Sequence, residues 1–253
     1  ETGLLFHRAP AHARLPPHEP SPPIMERPAI ALDNGSSTIK IGFCGEEAPR
    51  ALVPTSGLEE AAGVAPLGGG VVQDWEAMEV YWDHAFTHHL RVNTEQCNVI
   101  LTAHLWETKL NKERLAQSLF ESFAVPGVYL SSPPVFELYA SGRENGVVLG
   151  CGGDCTYAVL LHEGLPDPRT LMRGSVAGAA LTAHTGRQLS LSCPAAAEAA
   201  KVAAGCVAAQ PGAAADGPVS FTLPDGKTMT VSPEQRATIA EPLFDPLLLE
   251  VER

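Results

Sequence analysis

Ala29-Ile30-Ala31-Leu32-Asp33-Asn34-Gly35-Ser36-Ser37-Thr38-Ile39-Lys40-Ile41-Gly42-Phe43 is the stretch on which the fold turns. An apolar run enters, a tight polar turn follows, and a second run leaves. Asn-Gly between two strand-like runs is a strong hairpin signal, because both residues accept positive φ. The turn exposes backbone N–H groups beside the hydroxyls of Ser36, Ser37 and Thr38 and the ammonium of Lys40. Such a concavity of donors and positive charge suits a phosphate group. From the local pattern alone, an ordinary hairpin with a polar tip is the simpler reading.

The same pattern returns farther along. Gly146-Val147-Val148-Leu149 reads as a strand, Gly150-Cys151-Gly152-Gly153-Asp154 as a glycine-rich turn, and Cys155 to Leu161 as the exit strand. The chain is therefore expected to hold two strand–turn–strand units, each leading its own half. Two such turns facing each other would pinch a polyphosphate from both sides.

Between and around them, helices and strands alternate. Trp75, Met78, Trp82, Ala85, Phe86 and Leu90 recur at three- and four-residue steps behind an N-cap at Asp74, which predicts one long helix. Asn98–Thr102 is a short buried strand. Leu115, Leu119 and Phe123 mark a second helix opened near Asn111, and Pro134 starts a third. Ala195–Ala209 has high helix propensity, and Phe221–Val231 reads as a hairpin around Pro224-Asp225-Gly226. Ser56–Gly70, rich in Gly, Ala and Glu, reads as a loop. This alternation predicts an α/β layer architecture. Residues 1–24 hold six prolines among polar residues and are expected to be a disordered leader, with Met25 as a natural start.

Composition excludes several classes. The 253 residues carry 17 Lys plus Arg against 29 Asp plus Glu, a net charge of −12, so no basic face for nucleic acid is expected. No apolar run is long enough to span a bilayer. The six cysteines, Cys44, Cys97, Cys151, Cys155, Cys193 and Cys206, are too sparse for a disulfide scaffold and read as reduced thiols of an intracellular protein. Cys151 and Cys155 have no second pair to complete a metal site, and His84, His88 and His89 read as solvated, so no metal is expected. Asn34-Gly35-Ser36 matches a glycosylation sequon that a cytosolic protein never presents to that machinery.

Taken together, several segments resemble actin and the actin-related proteins: Leu32-Asp33-Asn34-Gly35-Ser36 with Lys40, Ala48-Pro49-Arg50-Ala51, Trp75 with Met78-Glu79, Phe120-Glu121-Ser122-Phe123, Leu138-Tyr139-Ala140-Ser141-Gly142-Arg143, Ala177-Gly178 and Leu223-Pro224-Asp225-Gly226. They follow actin's order from about Ala29 to Glu250. The resemblance implies a duplicated actin-like, ribonuclease H-like α/β fold clasping Mg-ATP between two hairpins. The halves would be 25–143 and 144–253. The small lobe would be reduced to a loop at 55–70 and the C-terminal part of the second half would be missing.

The resemblance places Asp33 at a metal-facing carboxylate, and Asn34, Gly35, Ser36, Ser37 and Lys40 around phosphate, with Ser37 replacing a glycine. Gly152 and Gly153 belong to the second phosphate turn. There the pattern departs: Gly150 stands where the family has its second catalytic carboxylate, Tyr157 where it has a water-orienting histidine, and Pro133 where it has a water-orienting glutamine. The adenine-facing positions fall on Ala196, Ala199 and Val202, with Glu198 and Lys201 close by. Glycine and proline supply neither a magnesium-facing carboxylate nor a hydrogen-bonding head for water. The expectation is a non-catalytic actin-like protein without cofactor. Its role would be structural or as an adaptor in a testis-related cytoskeletal assembly in the cytoplasm, with actin or cytoskeletal subunits as partners. The alternative is a residual Mg-ATP binder or slow ATPase. The missing parts are also expected to leave a sheet of the second half with an uncovered apolar face.

Overall fold

The structure is a computed structural model that describes residues 4–7, 27–55, 66–208, 210 and 213–249. It is a mixed α/β fold in two compact units, residues 1–150 with 157–172, and residues 151–156 with 173–253. The strands from 146 to 166, which the internal repeat assigns to the second half, therefore fall largely with the first unit.

The first unit is built on a six-stranded sheet. Its strands are β1 (Leu4–His7), β2 (Ala29–Asp33), β3 (Thr38–Phe43) and β4 (Ala51–Pro54), and, after a short ribbon of β5 (Leu67–Gly68) and β6 (Val71–Val72), β7 (Asn98–Thr102) and β8 (Gly127–Ser131). The order is β1-β8-β7-β2-β3-β4. β2, β7 and β8 run parallel, while β3 folds back on β2 and β4 on β3.

Ile30, Leu32, Ile39, Ile41, Val99, Leu101, Val128 and Leu130 alternate along these strands and point to one buried face. Helices α1 (Trp75–His84) and α2 (Lys109–Glu121) cover that face through Met78, Tyr81, Trp82, Leu115 and Leu119. Asp74 caps α1 by accepting from Ala77 N at 2.8 Å. The expected long helix departs at its end: residues Ala85–Leu90 widen into a π-turn, closed by Arg91 at φ 54°. That turn buries Ala85, Phe86 and Leu90, so the apolar period outlasts the α geometry. Thr108, rather than a residue near Asn111, caps α2 by accepting from Asn111 N.

Two expectations are corrected. Leu4–His7 is not part of a disordered leader: it pairs antiparallel with β8, Leu4 opposite Leu130 and His7 opposite Gly127. A sheet edge supplies backbone partners from far along the chain, which local composition does not register. The rest of the 1–24 leader lies outside the described residues. The loop expected at 56–70 ends in the β5–β6 ribbon, turned by Gly69 and Gly70 at positive φ; residues 56–65 lie outside the described residues.

Helix α3 (Pro133–Ala140) follows β8, and β9 (Gly146–Cys151), β10 (Thr156–His162), β11 (Leu165–Pro166) and β12 (Met172–Gly174) form a second, four-stranded sheet. Val135, Leu138, Val148, Tyr157, Val159 and Leu161 form its core. Its other side is bare, with Val147 70% and Leu149 74% exposed. β12 leads out of the unit.

In the second unit, α4 (Gly178–Leu189), α5 (Pro194–Ala204), the hairpin β13 (Val219–Thr222) and β14 (Thr228–Val231), and α6 (Pro233–Ala240) pack around Leu189, Ala200, Ala204, Val231 and Ile239. Alanines on α5 let it lie close to α4, at the cost of little buried area per residue. Ser232 and Gln235 form a reciprocal cap on α6.

Candidate functional site

The first hairpin brings Asp33, Asn34, Gly35, Ser36, Ser37 and Lys40 together at the end of the six-stranded sheet. Asp33 and Lys40 are directly opposite in register, and the ammonium lies 2.6 Å from Asp33 Oδ2. Thr102 at the end of β7 donates to Asp33 Oδ1 at 2.8 Å and accepts from Asn34 N at 3.0 Å. Trp82 Nε1 donates to Asn34 Oδ1 at 2.9 Å in a buried contact. On the far side, Thr55 donates its hydroxyl to Ser36 O and its N–H to Ser37 O, and Tyr81 donates to Thr55 O. The tip is thus held by β7, α1 and the end of β4.

The turn does not use the positive φ that its Asn-Gly pair suggested. None of Asn34, Gly35 and Ser37 has that conformation, so serine replaces glycine at 37 without backbone strain. Glycine is required at 35 for space, since a Cβ there would sit 2.3 Å from Thr38 O.

Gly152 and Gly153 lie in the second unit, in a turn closed by Gly152 N donating to Cys155 O at 2.9 Å. The turn docks on the start of α4. Gly178 N donates to Gly152 O at 3.0 Å and Ala179 N to Gly153 O at 2.7 Å. The first N–H groups of a helix are its anion-binding donors, and two of them are here occupied by the turn's own carbonyls. Thr156 Oγ1 donates to Val176 O.

Gly150 and Tyr157, both in the first unit, are interlocked. A Cβ on residue 150 would lie 2.4 Å from Tyr157 Cζ and 2.6 Å from its hydroxyl. The tyrosine ring therefore fills the space of any side chain at 150. Its hydroxyl donates to Glu137 Oε1 at 2.8 Å, and its ring meets His104 and Trp106 edge-on. Pro133 is the first residue of α3, where a missing N–H costs nothing.

On α5, Lys201 Nζ donates to Gly178 O, Thr182 Oγ1 and Glu198 Oε2 at 3.2, 2.9 and 2.6 Å. Three donors meet three acceptors, so Glu198 and Lys201 tie α5 to α4 and Thr182 also donates to Glu198. Burial pushes the Glu198 carboxyl up, but the hydrogen bonds from Lys201 and Thr182 and the ammonium charge outweigh it, holding it below the usual carboxylate range. Val202 is 73% exposed.

Sequence reasoning missed Thr102, Trp82, Thr55 and Glu137. Thr102 was within reach, because a strand 98–102 laid parallel to β2 puts Leu101 beside Leu32 and Thr102 beside the turn. The others are tertiary contacts without a local signal. Among the described residues, no group of three His, Cys, Asp or Glu side chains is arranged to hold a metal.

A family model described as Actin matches residues 58–197. That span covers more than half of the chain and takes in Pro133, Gly150, Gly152, Gly153 and Tyr157. The chain therefore belongs to the actin family.

Proposed function

We propose that this protein is a non-catalytic member of the actin family with a structural or adaptor role in a cytoskeletal assembly. The observation that carries the reading is the Gly150–Tyr157 interlock. A carboxylate at 150 has no room while Tyr157 is there, and Tyr157 is itself committed to Glu137. The substitutions support one another as packing, so restoring one alone does not restore a site. The residues present do not fit a magnesium-bound, hydrolytic nucleotide. Pro133 offers water no donor or acceptor on its side chain, and Lys201 spends its three donors inside the second unit.

Within the family, the chain resembles actin-like protein 10, a divergent testis-type member. On that likeness we place the chain in the cytoplasm of sperm-lineage cells, associated with the cytoskeleton. Its partners would be actin or other cytoskeletal subunits.

One observation favours the second reading, residual Mg-ATP binding: the first hairpin keeps Asp33, Gly35, Ser36 and Lys40 in a well-held turn. A thermal-shift titration with Mg-ATP separates the two. A ligand that binds only the folded chain raises Tm with concentration. The adaptor reading predicts no saturable rise, and a rise that vanishes in Asp33→Ala would establish the second.

A further inference from the structure

One face of the six-stranded sheet is covered by α1 and α2, and the other carries a groove. Its floor is a cross-strand row, Gly42 opposite Ala31 and Ala31 beside Ile100. One wall is α3, with Pro133, Phe136, Glu137 and Ala140, and the other is the 44–49 loop with Glu46 and Glu47. The cavity measures about 640 Å³. Ala31, Glu46, Glu47, Glu137 and Ala140 are exposed, and Phe136 and Ile100 are half-buried.

The walls are stiff. Phe136 packs edge-on to Tyr129 of β8. The loop is braced by Arg50, which donates to Glu46 through both Nε and Nη2 and lies 4.6 Å over the Phe43 ring. The ionisable groups lining the groove are Asp33, Lys40, Cys44, Glu46, Glu47 and Glu137; Lys40 pairs with Asp33 and Arg50 with Glu46, so Glu47 and Glu137 carry the excess negative charge of the rim. An apolar floor with an acidic rim complements a segment that is apolar on one side and cationic on its flanks. β2 and β3 run for roughly 15–20 Å, the length of about three helical turns. A sheet face of this kind is closed by a helix in layered α/β folds.

We propose that this groove is a docking site for a basic amphipathic helix of a protein partner. The inference rests on the adaptor reading and adds the chemistry of the partner. Aliphatic side chains at i, i+3, i+4 and i+7 would lie over Ala31 and Ile100, and Lys or Arg side chains on either side would meet Glu47, Glu137 and Glu46.

The test uses the full chain and fluorescence anisotropy of labelled peptides of about 18 residues. The probe is an amphipathic Leu/Lys helix. Its controls are the same pattern in Leu/Glu and a Leu/Lys peptide of identical composition without helical periodicity. The proposal expects saturable binding of the amphipathic Leu/Lys helix at least tenfold tighter than either control. Ala31→Arg, which places a long cation on the exposed floor, and the pair Glu46→Lys/Glu47→Lys should each weaken it at least tenfold. Glu121→Lys/Glu234→Lys reverses two exposed carboxylates outside the groove and should change it less than threefold. Circular dichroism and Tm establish that each variant is folded. Equal loss in both charge-reversal pairs, or unchanged binding in folded Ala31→Arg, overturns the groove. Neither result bears on nucleotide, which the Mg-ATP titration reads separately.

Discussion

On the proposed reading, a glycine and a tyrosine set this chain apart from a nucleotide hydrolase. Tyr157 stands within 2.4 Å of where a side chain on residue 150 would begin. Overpacking a fitted site of this kind costs about 1–3 kcal/mol. Gly150→Asp alone should therefore lower Tm and shift the denaturant midpoint by that amount. Combining it with Tyr157→His frees the volume, and the double variant should recover most of the loss, giving a coupling energy of about 1 kcal/mol or more in a double-mutant cycle. Additive losses would show that the two positions do not share space. At the other hairpin, Gly35→Ala meets the Thr38 carbonyl at 2.3 Å and should destabilise by about 1–3 kcal/mol in urea unfolding. Ser37→Gly should give no gain, because Ser37 is not in the left-handed region. The sequence reads differently at these two glycines. Asn34-Gly35 was legible as a turn, though for φ rather than for space. The reason for Gly150 lies seven residues on, across a strand pair, where spacing alone does not reveal a ring.

The elements were more legible than their partners. Apolar alternation in 29–43 and 98–102 locates the central strands, and helical periodicity locates α1 and α2. What the periodicity leaves out is what staples them. Trp82 reads as core, yet its ring nitrogen reaches the Asn34 side chain, and Lys201 reads as a ligand candidate, yet it joins α5 to α4. β1 has no local signature, because four residues gain strand geometry only from the edge of β8.

Two carboxylates give the packed helices opposite pH dependences. Glu198 is held below the usual range by its partners, so its contribution is fully present above the unfolded value near 4.5 and is lost as pH falls through the lower folded value. Glu107 is pushed up by burial, against hydrogen bonds from Asn111 and Thr108 and the charge of Lys112. It disfavours the folded state as pH rises from the unfolded value through the folded one. Glu198→Gln should therefore flatten the loss of stability below about pH 4.5. Glu107→Gln should remove the decline above it and leave neutral-pH Tm equal or higher. Chemical unfolding at a series of pH values reads both, and parallel pH profiles for the two variants would contradict these assignments.

At the scale of the molecule, a net charge of −12 and exposed apolar residues accord with the proposed adaptor role. Among the described residues, no helix is long and apolar enough to cross a membrane. Val147, Leu149 and the groove above Ala31 are surfaces that an α/β fold normally covers. Pure protein in polymerising salt should stay in the supernatant on sedimentation or form only irregular aggregate, if the small lobe is reduced as the resemblance implies; ordered helical filaments by electron microscopy would refute this. The central claim is that the chain binds partners and does not turn over ATP. It is tested most directly by inorganic phosphate release from Mg-ATP with protein in excess over nucleotide. The account predicts release no faster than in the protein-free control. Release above that control that disappears in Asp33→Ala would contradict it.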